Sequence, residues 1–132
     1  MVDLLIWDFV DHRNENVILK WVLADRLDKR DRAQLNQKIR RLAQVDFNLA
    51  INTKLLAGPI YEHIYKLHAK GCVQLRPMLC RGPMDNDAEY TLLLGAVEIG
   101  GQLPLGSREK AAERREAVIN DSARRRIHQR IP

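Results

Sequence analysis

The apolar residues of this chain change from helical to strand-like spacing after Lys54, and that change limits the possible folds more than any other feature. Before it, Val17 and Trp21, Ile18 and Val22, and Leu23 and Leu27 lie four apart, and Leu35, Ile39 and Leu42 follow at steps of four and three. Such steps gather side chains on one face of a helix. After Asn52-Thr53-Lys54 the pattern turns β-like, and Ala57-Gly58-Pro59 is a turn signal. A chain that groups its helices and then its strands is α+β, with an antiparallel sheet.

The rest of the pattern fills in that outline. Asp3 to Val10 predicts a first strand with Leu4, Ile6 and Phe9 in the core and Trp7 as a large anchor. Asn14 is a candidate cap for the first helix and Asp31 for the second, and the two form a helical hairpin. Arg32, Lys38, Arg40 and Arg41 make the second helix's outer, solvated face. Three strands are predicted next: Ile60 to His68, Cys72 to Arg81, and Glu89 to Glu98. Pro77 interrupts the second of these and argues for an edge or a bulge. The third is apolar on both faces, at Leu92, Leu93 and Leu94, and is expected to be central. Ser107 is a candidate cap for a charged helix from Arg108 to about Ile119, with a short last turn through Ile127.

At 132 residues the chain is one domain. Its longest apolar run, Leu92 to Val97, falls far short of the roughly 20 residues of a membrane span. Met1-Val2-Asp3 shows no basic stretch of a secretory leader, so the expected compartment is the cytoplasm. Net charge is +5, which favours polyanions or acidic protein segments as partners. The charge is concentrated late: from Arg108 onward eight Lys and Arg face four acids. Cys72 and Cys80 are expected to be small buried hydrophobes rather than a disulfide. His63, His68, Cys72 and Cys80 have the residue types of a zinc set but not the spacing of a knuckle, so no metal and no cofactor are expected. No triad, phosphate-binding loop or dinucleotide fingerprint occurs.

Several motifs, in order, resemble the RelE/ParE toxin superfamily and its phage-derived HigB-like branch. After the helical hairpin, Leu55-Leu56-Ala57-Gly58-Pro59-Ile60-Tyr61-Glu62 is similar to the family's lead into the sheet. Gln74-Leu75-Arg76-Pro77-Met78-Leu79 resembles its arginine-bearing strand, and Glu89-Tyr90-Thr91-Leu92-Leu93-Leu94-Gly95-Ala96 its central strand. Leu103-Pro104 then leads to a charged helix. The chain departs from the family at two places. His63-Ile64 follow the Tyr-Glu pair where an arginine is common, and Val97-Glu98-Ile99-Gly100-Gly101 stands where many members carry a Lys-Lys pair.

The resemblance implies a type II toxin that cleaves mRNA on the ribosome without a metal. It also implies a neutralising antitoxin, a small helix-turn-helix DNA-binding protein. Such cleavage uses the 2′-hydroxyl as an internal nucleophile, so the protein must move its proton and neutralise the phosphate. On that footing Arg76 clamps the scissile phosphate, Arg81 or a C-terminal arginine is the second clamp, and His63 or His128 moves the proton. Tyr61, Tyr65, Lys66, His68, Arg124, Arg125 and Arg126 are the candidate RNA contacts. Each has a plainer role: Tyr61 and Tyr65 as core or rim residues, Arg76 as one half of a cross-strand ion pair. The ribonuclease assignment depends on Arg76 facing an open cationic hollow. Two other outcomes stay open on the same scaffold: a ParE-like binder that poisons DNA gyrase, and a degenerate member that only binds its antitoxin.

Overall fold

The computed structural model describes residues 3–132; Met1 and Val2, on which the leader reading partly rests, lie outside them. The fold is α+β. Strand β1 (Leu5–Phe9) is followed by helices α1 (Val17–Ala24), α2 (Lys29–Gln44) and α3 (Phe47–Asn52). Then come β2 (Leu56–Tyr61), β3 (Ile64–Leu67), β4 (Ala69–Lys70), β5 (Gln74–Leu75), β6 (Met78–Arg81), β7 (Glu89–Leu94) and β8 (Val97–Glu98). Helix α4 (Ser107–Asn120) and strand β9 (Arg125–Ile127) close the chain. Among the described residues, no helix is long and apolar enough to cross a membrane.

Six strands form the main sheet in the order β2-β3-β6-β7-β1-β9, and β4-β5-β8 form a second, smaller one. All pairs are antiparallel except β1 with β7. The expected central strand is central: β7 lies between β6 and β1. Register sorts the side chains into two faces, since paired residues point the same way. Ile6, Asp8, Arg81, Tyr90 and Leu92 share one face, while Trp7, Phe9, Cys80, Thr91 and Arg125 share the other. The first face meets Asn16 at the start of α1, Ile39 of α2 and Phe47 of α3. The second meets α4, whose Arg114 lies over the Phe9 ring and donates to the Leu93 carbonyl. Ile18, Leu35, Leu42, Ile64, Leu79 and Leu92 are wholly buried between these layers. Just past the end of β7, Gly95 leaves no room for a side chain: a Cβ would stand 1.9 Å from the Trp21 ring.

Several boundaries differ from the sequence expectation. The caps fall elsewhere. Asn16, not Asn14, accepts from Ile18 N and Leu19 N, while Asn14 takes a left-handed turn at φ 62. Asp28, not Asp31, caps α2, and Asp31 completes a capping box from the third helical position. Gly106, not Ser107, occupies the cap position of α4, in the left-handed region at φ 79. Phe47–Asn52 forms a third helix, capped by Asp46, which the apolar spacing does not predict.

Each of the three predicted strands is broken. Ile60–His68 folds back at Glu62-His63, where Glu62 has φ 44 and Tyr61 faces Ile64 across a hairpin. Pro77, which has no N–H to give a ladder, separates β5 from β6 and sends them to different sheets. Gly95-Ala96 separates β7 from β8. The expected last helical turn is instead β9, which pairs with β1 through Arg125, Arg126 and Ile127.

Candidate active site

Arg76 does not face an open hollow. Its Nη1 donates to the Ala69 carbonyl at 3.1 Å and the Leu75 carbonyl at 2.9 Å, and its Nη2 to Gln74 Oε1 at 2.8 Å. Its Nε lies 3.3 Å from Glu98 Oε2, and the side chain is 11% exposed. A guanidinium so engaged has little left for a phosphate, so the condition on which the sequence rested the ribonuclease assignment is not met, and RNA chemistry on this chain would have to be carried by other residues. Its ion-pair partner is Glu98. Lys66 Nζ, 3.0 Å from Glu98 Oε1, joins the same cluster. That hydrogen bond, followed by the nearby Arg76 charge, holds the Glu98 carboxyl below its ordinary range. His68 borders the cluster, and burial, then Arg76 and Lys66, push its pKa down, so it is neutral near pH 7.

The other expected contacts scatter. His63, the candidate for proton transfer, is exposed at the hairpin turn because the fold-back takes it out of the strand. Tyr61 is half-buried, and Tyr65 packs edge-on against Phe47 with ring centres 5.2 Å apart. Arg81 stacks over Phe47, its guanidinium 4.2 Å from the ring centre, and Nη2 reaches Asp87 at 3.2 Å. Arg124 is half-buried, donating to the Val10 carbonyl through Nε. Arg125 is buried against Glu89 and Trp7. Arg126 alone of the arginine run is exposed. Cys80 is buried, as expected, and burial pushes its thiol up to about 12. Cys72 is exposed and bonds Asp28, which corrects its assignment to the core.

One predicted residue does sit in a built site. His128 continues β9, its N–H donating to the Ile6 carbonyl. Its Nδ1 lies 2.9 Å and 3.0 Å from the two carboxylate oxygens of Asp8. Asp8 is 1% exposed, and its Oδ2 also accepts from Asn16 Nδ2 at 2.9 Å. Since Asn16 also caps α1, the carboxylate is fixed from two directions. A carboxylate at Nδ1 places the proton there and leaves Nε2 as the ring's acceptor.

His128 lines a groove of about 490 Å³ between α2 and the β1–β9 end of the sheet. Leu4, Ile39 and Ala43 contribute apolar lining, and Arg40 and Arg130, both exposed, stand on its rim. Asn36 of α2 holds the terminal segment in place, donating to the Ile131 carbonyl and accepting from the Ile131 N–H, both at 2.8 Å. The sequence pointed to His128 but not to Asp8, Asn16, Arg40 or Arg130 as its companions. One signal was available: Asp8 is the lone acid in Leu4-Leu5-Ile6-Trp7-Asp8-Phe9-Val10, and a buried carboxylate needs partners.

No protein-family model, curated protein or solved structure matches the chain.

Proposed function

We propose that this chain is a metal-independent endoribonuclease of the type II toxin class whose chemistry lies at His128 rather than Arg76. The observation that supports it is the Asp8–His128 pair beside the Arg40–Arg130 rim. A base oriented by a second group, next to cations, is the arrangement that 2′-hydroxyl attack requires. Nε2 takes the 2′-hydroxyl proton as O2′ bonds to phosphorus. The bond to O5′ then breaks, and that oxygen takes up a proton from water. Arg130 and Arg40 balance the charge growing on the phosphoryl oxygens. The products are a 2′,3′-cyclic phosphate and a 5′-hydroxyl. The resemblance adds the expectation of a cytoplasmic protein, a ribosome-bound mRNA substrate and a helix-turn-helix antitoxin.

The test is to incubate the purified protein with mRNA, with and without translating ribosomes, in the presence of a chelator, and to map the ends. Cyclic-phosphate ends that disappear with His128→Ala support the proposal. Message left intact by the wild-type protein overturns it.

A second reading has its own observation. Leu5 and Ile127 are 50% and 48% exposed at the groove, and β9 is an edge strand with one side unpaired. Such an edge beside apolar side chains suits an added strand from a partner, as in a toxin that acts only by binding. A parallel supercoiling assay with DNA gyrase separates the two, because only a gyrase poison traps cleaved DNA.

A further inference from the structure

A second hollow, of about 480 Å³, opens where α3 meets β6 and β7, and Leu4 lines both it and the His128 groove. Its chemistry is mixed. Arg81 supplies donors, Asp46 and Asp87 supply acceptors, and Asn48 and Asn86 supply both. Phe47 and Val45 give it apolar surface. Two polar groups there are unspent. Tyr90 is 2% exposed, and its hydroxyl has no hydrogen-bond partner; Arg81 Nε is buried and also without one. A phenol shut away from water without a partner costs roughly 1–3 kcal/mol. Burial pushes the Tyr90 pKa up to about 12, so the group is a neutral donor and acceptor at any ordinary pH.

The pocket does not fit a bare anion, since it sets two carboxylates beside one arginine. It fits a neutral planar heterocycle with both donors and acceptors. Guanine is the base that matches best. Its O6 and N7 acceptors take an arginine fork, and its adjacent N1–H and N2–H groups take a carboxylate. Arg81 and Asp87 touch each other at 3.2 Å, as O6 and N1–H are neighbours on the base.

We infer that this hollow is a guanine site, with Arg81 and Asp87 reading adjacent atoms of the base and the Tyr90 hydroxyl supplying a further contact. The inference deepens the ribonuclease reading, and rests on it only in the claim that cuts fall beside a guanine. Binding of the base itself needs no cleavage.

Calorimetric titration with guanosine and, separately, adenosine tests it. Guanosine has no phosphodiester to cut, so its binding is read whether or not the chain cleaves RNA. Guanosine is expected to bind on the order of tenfold more tightly than adenosine, and Asp87→Asn to remove about that preference. Tyr90→Phe, which removes one oxygen, weakens guanosine by a few-fold. Equal binding of the two nucleosides, or none at about 10 mM, overturns the inference. Guanosine binding without RNA cleavage upholds the pocket and sinks the ribonuclease reading alone. Cleavage without guanosine binding does the reverse.

Discussion

Arg125 Nη1 lies 2.6 Å from Glu89 Oε2, and both side chains are almost wholly shut off from solvent, at 6% and 7% exposure. The guanidinium also covers the Trp7 ring at 4.2 Å and donates to Thr91 Oγ1 at 3.2 Å. Glu89 in turn accepts from Trp7 Nε1 and from the Met84 N–H of the loop before β7. The pair joins β9, β7 and that loop. Arg125→Met leaves a buried carboxylate without its counter-ion and is expected to cost about 3–5 kcal/mol in urea unfolding. Adding Glu89→Gln to that variant restores part of the loss, because a neutral amide needs no counter-ion. An Arg125 devoted to RNA would instead leave stability unchanged and weaken only RNA binding.

The dyad separates orientation from proton transfer. Asp8→Asn keeps the size of the side chain but presents an amide to His128 Nδ1, which disfavours the tautomer with a basic Nε2. Cleavage is expected to fall by about 10²- to 10⁴-fold, close to the effect of His128→Ala, and the double variant to add little more. Circular dichroism on each variant checks the fold, because Asp8 also anchors Asn16 at the start of α1. Single-turnover rates at several pH values make the measurement. If Asp8→Asn cleaved at the wild-type rate across that range, the orienting role would be lost.

Glu98 sets an acid limit on stability. Its carboxyl is held below the ordinary 4.5, first by the Lys66 hydrogen bond and then by Coulombic attraction to Lys66 and Arg76. A carboxyl lowered in the folded state binds its proton more readily when unfolded. Its contribution is therefore full above 4.5 and is lost as pH falls through the lower, folded value. Glu98→Gln is expected to reduce stability at neutral pH and to flatten the stability curve over that acid window. Thermal melts from pH 3 to pH 7 make the comparison, and an unchanged acid slope would show that the cluster's charge pairing contributes nothing there.

The outline of this fold was legible because helical and strand spacing are local properties of the chain. Apolar steps of three and four produced α1 and α2, and the apolar run at Leu92–Leu94 marked the strand that became β7. What was not legible turned on backbone geometry and on distant partners. Glu62 at φ 44 folds one predicted strand into two, and nothing in the alternation of Tyr61, His63 and Tyr65 signals that. Arg125-Arg126-Ile127 has no strong strand pattern of its own, and becomes a strand because β1 offers it a free edge. The same blindness affected the site. Arg76 reads as a free cation until Glu98 and three hydrogen-bond acceptors close around it. His128 was readable as a histidine, but Asp8 lies 120 positions away and meets it only through the β1–β9 pairing.

The two thiols are expected to differ sharply in reactivity. Cys80 is buried in β6, and its pKa of about 12 leaves almost no thiolate at pH 8. Cys72 is exposed, yet the hydrogen bond from its Sγ to Asp28 Oδ2, at 2.9 Å, favours the protonated thiol and raises its pKa above 9.0. A thiol-specific reagent should therefore modify one cysteine per native chain, slowly, and both after denaturation. Asp28→Asn removes the carboxylate that holds the thiol proton. Asparagine caps a helix about as well as aspartate, so α2 keeps its start. Modification of Cys72 is expected to speed up a few-fold in this variant while Cys80 stays protected. Two fast thiols in the native wild-type chain would contradict the burial of Cys80, and an unchanged Cys72 rate would show that Asp28 does not control it.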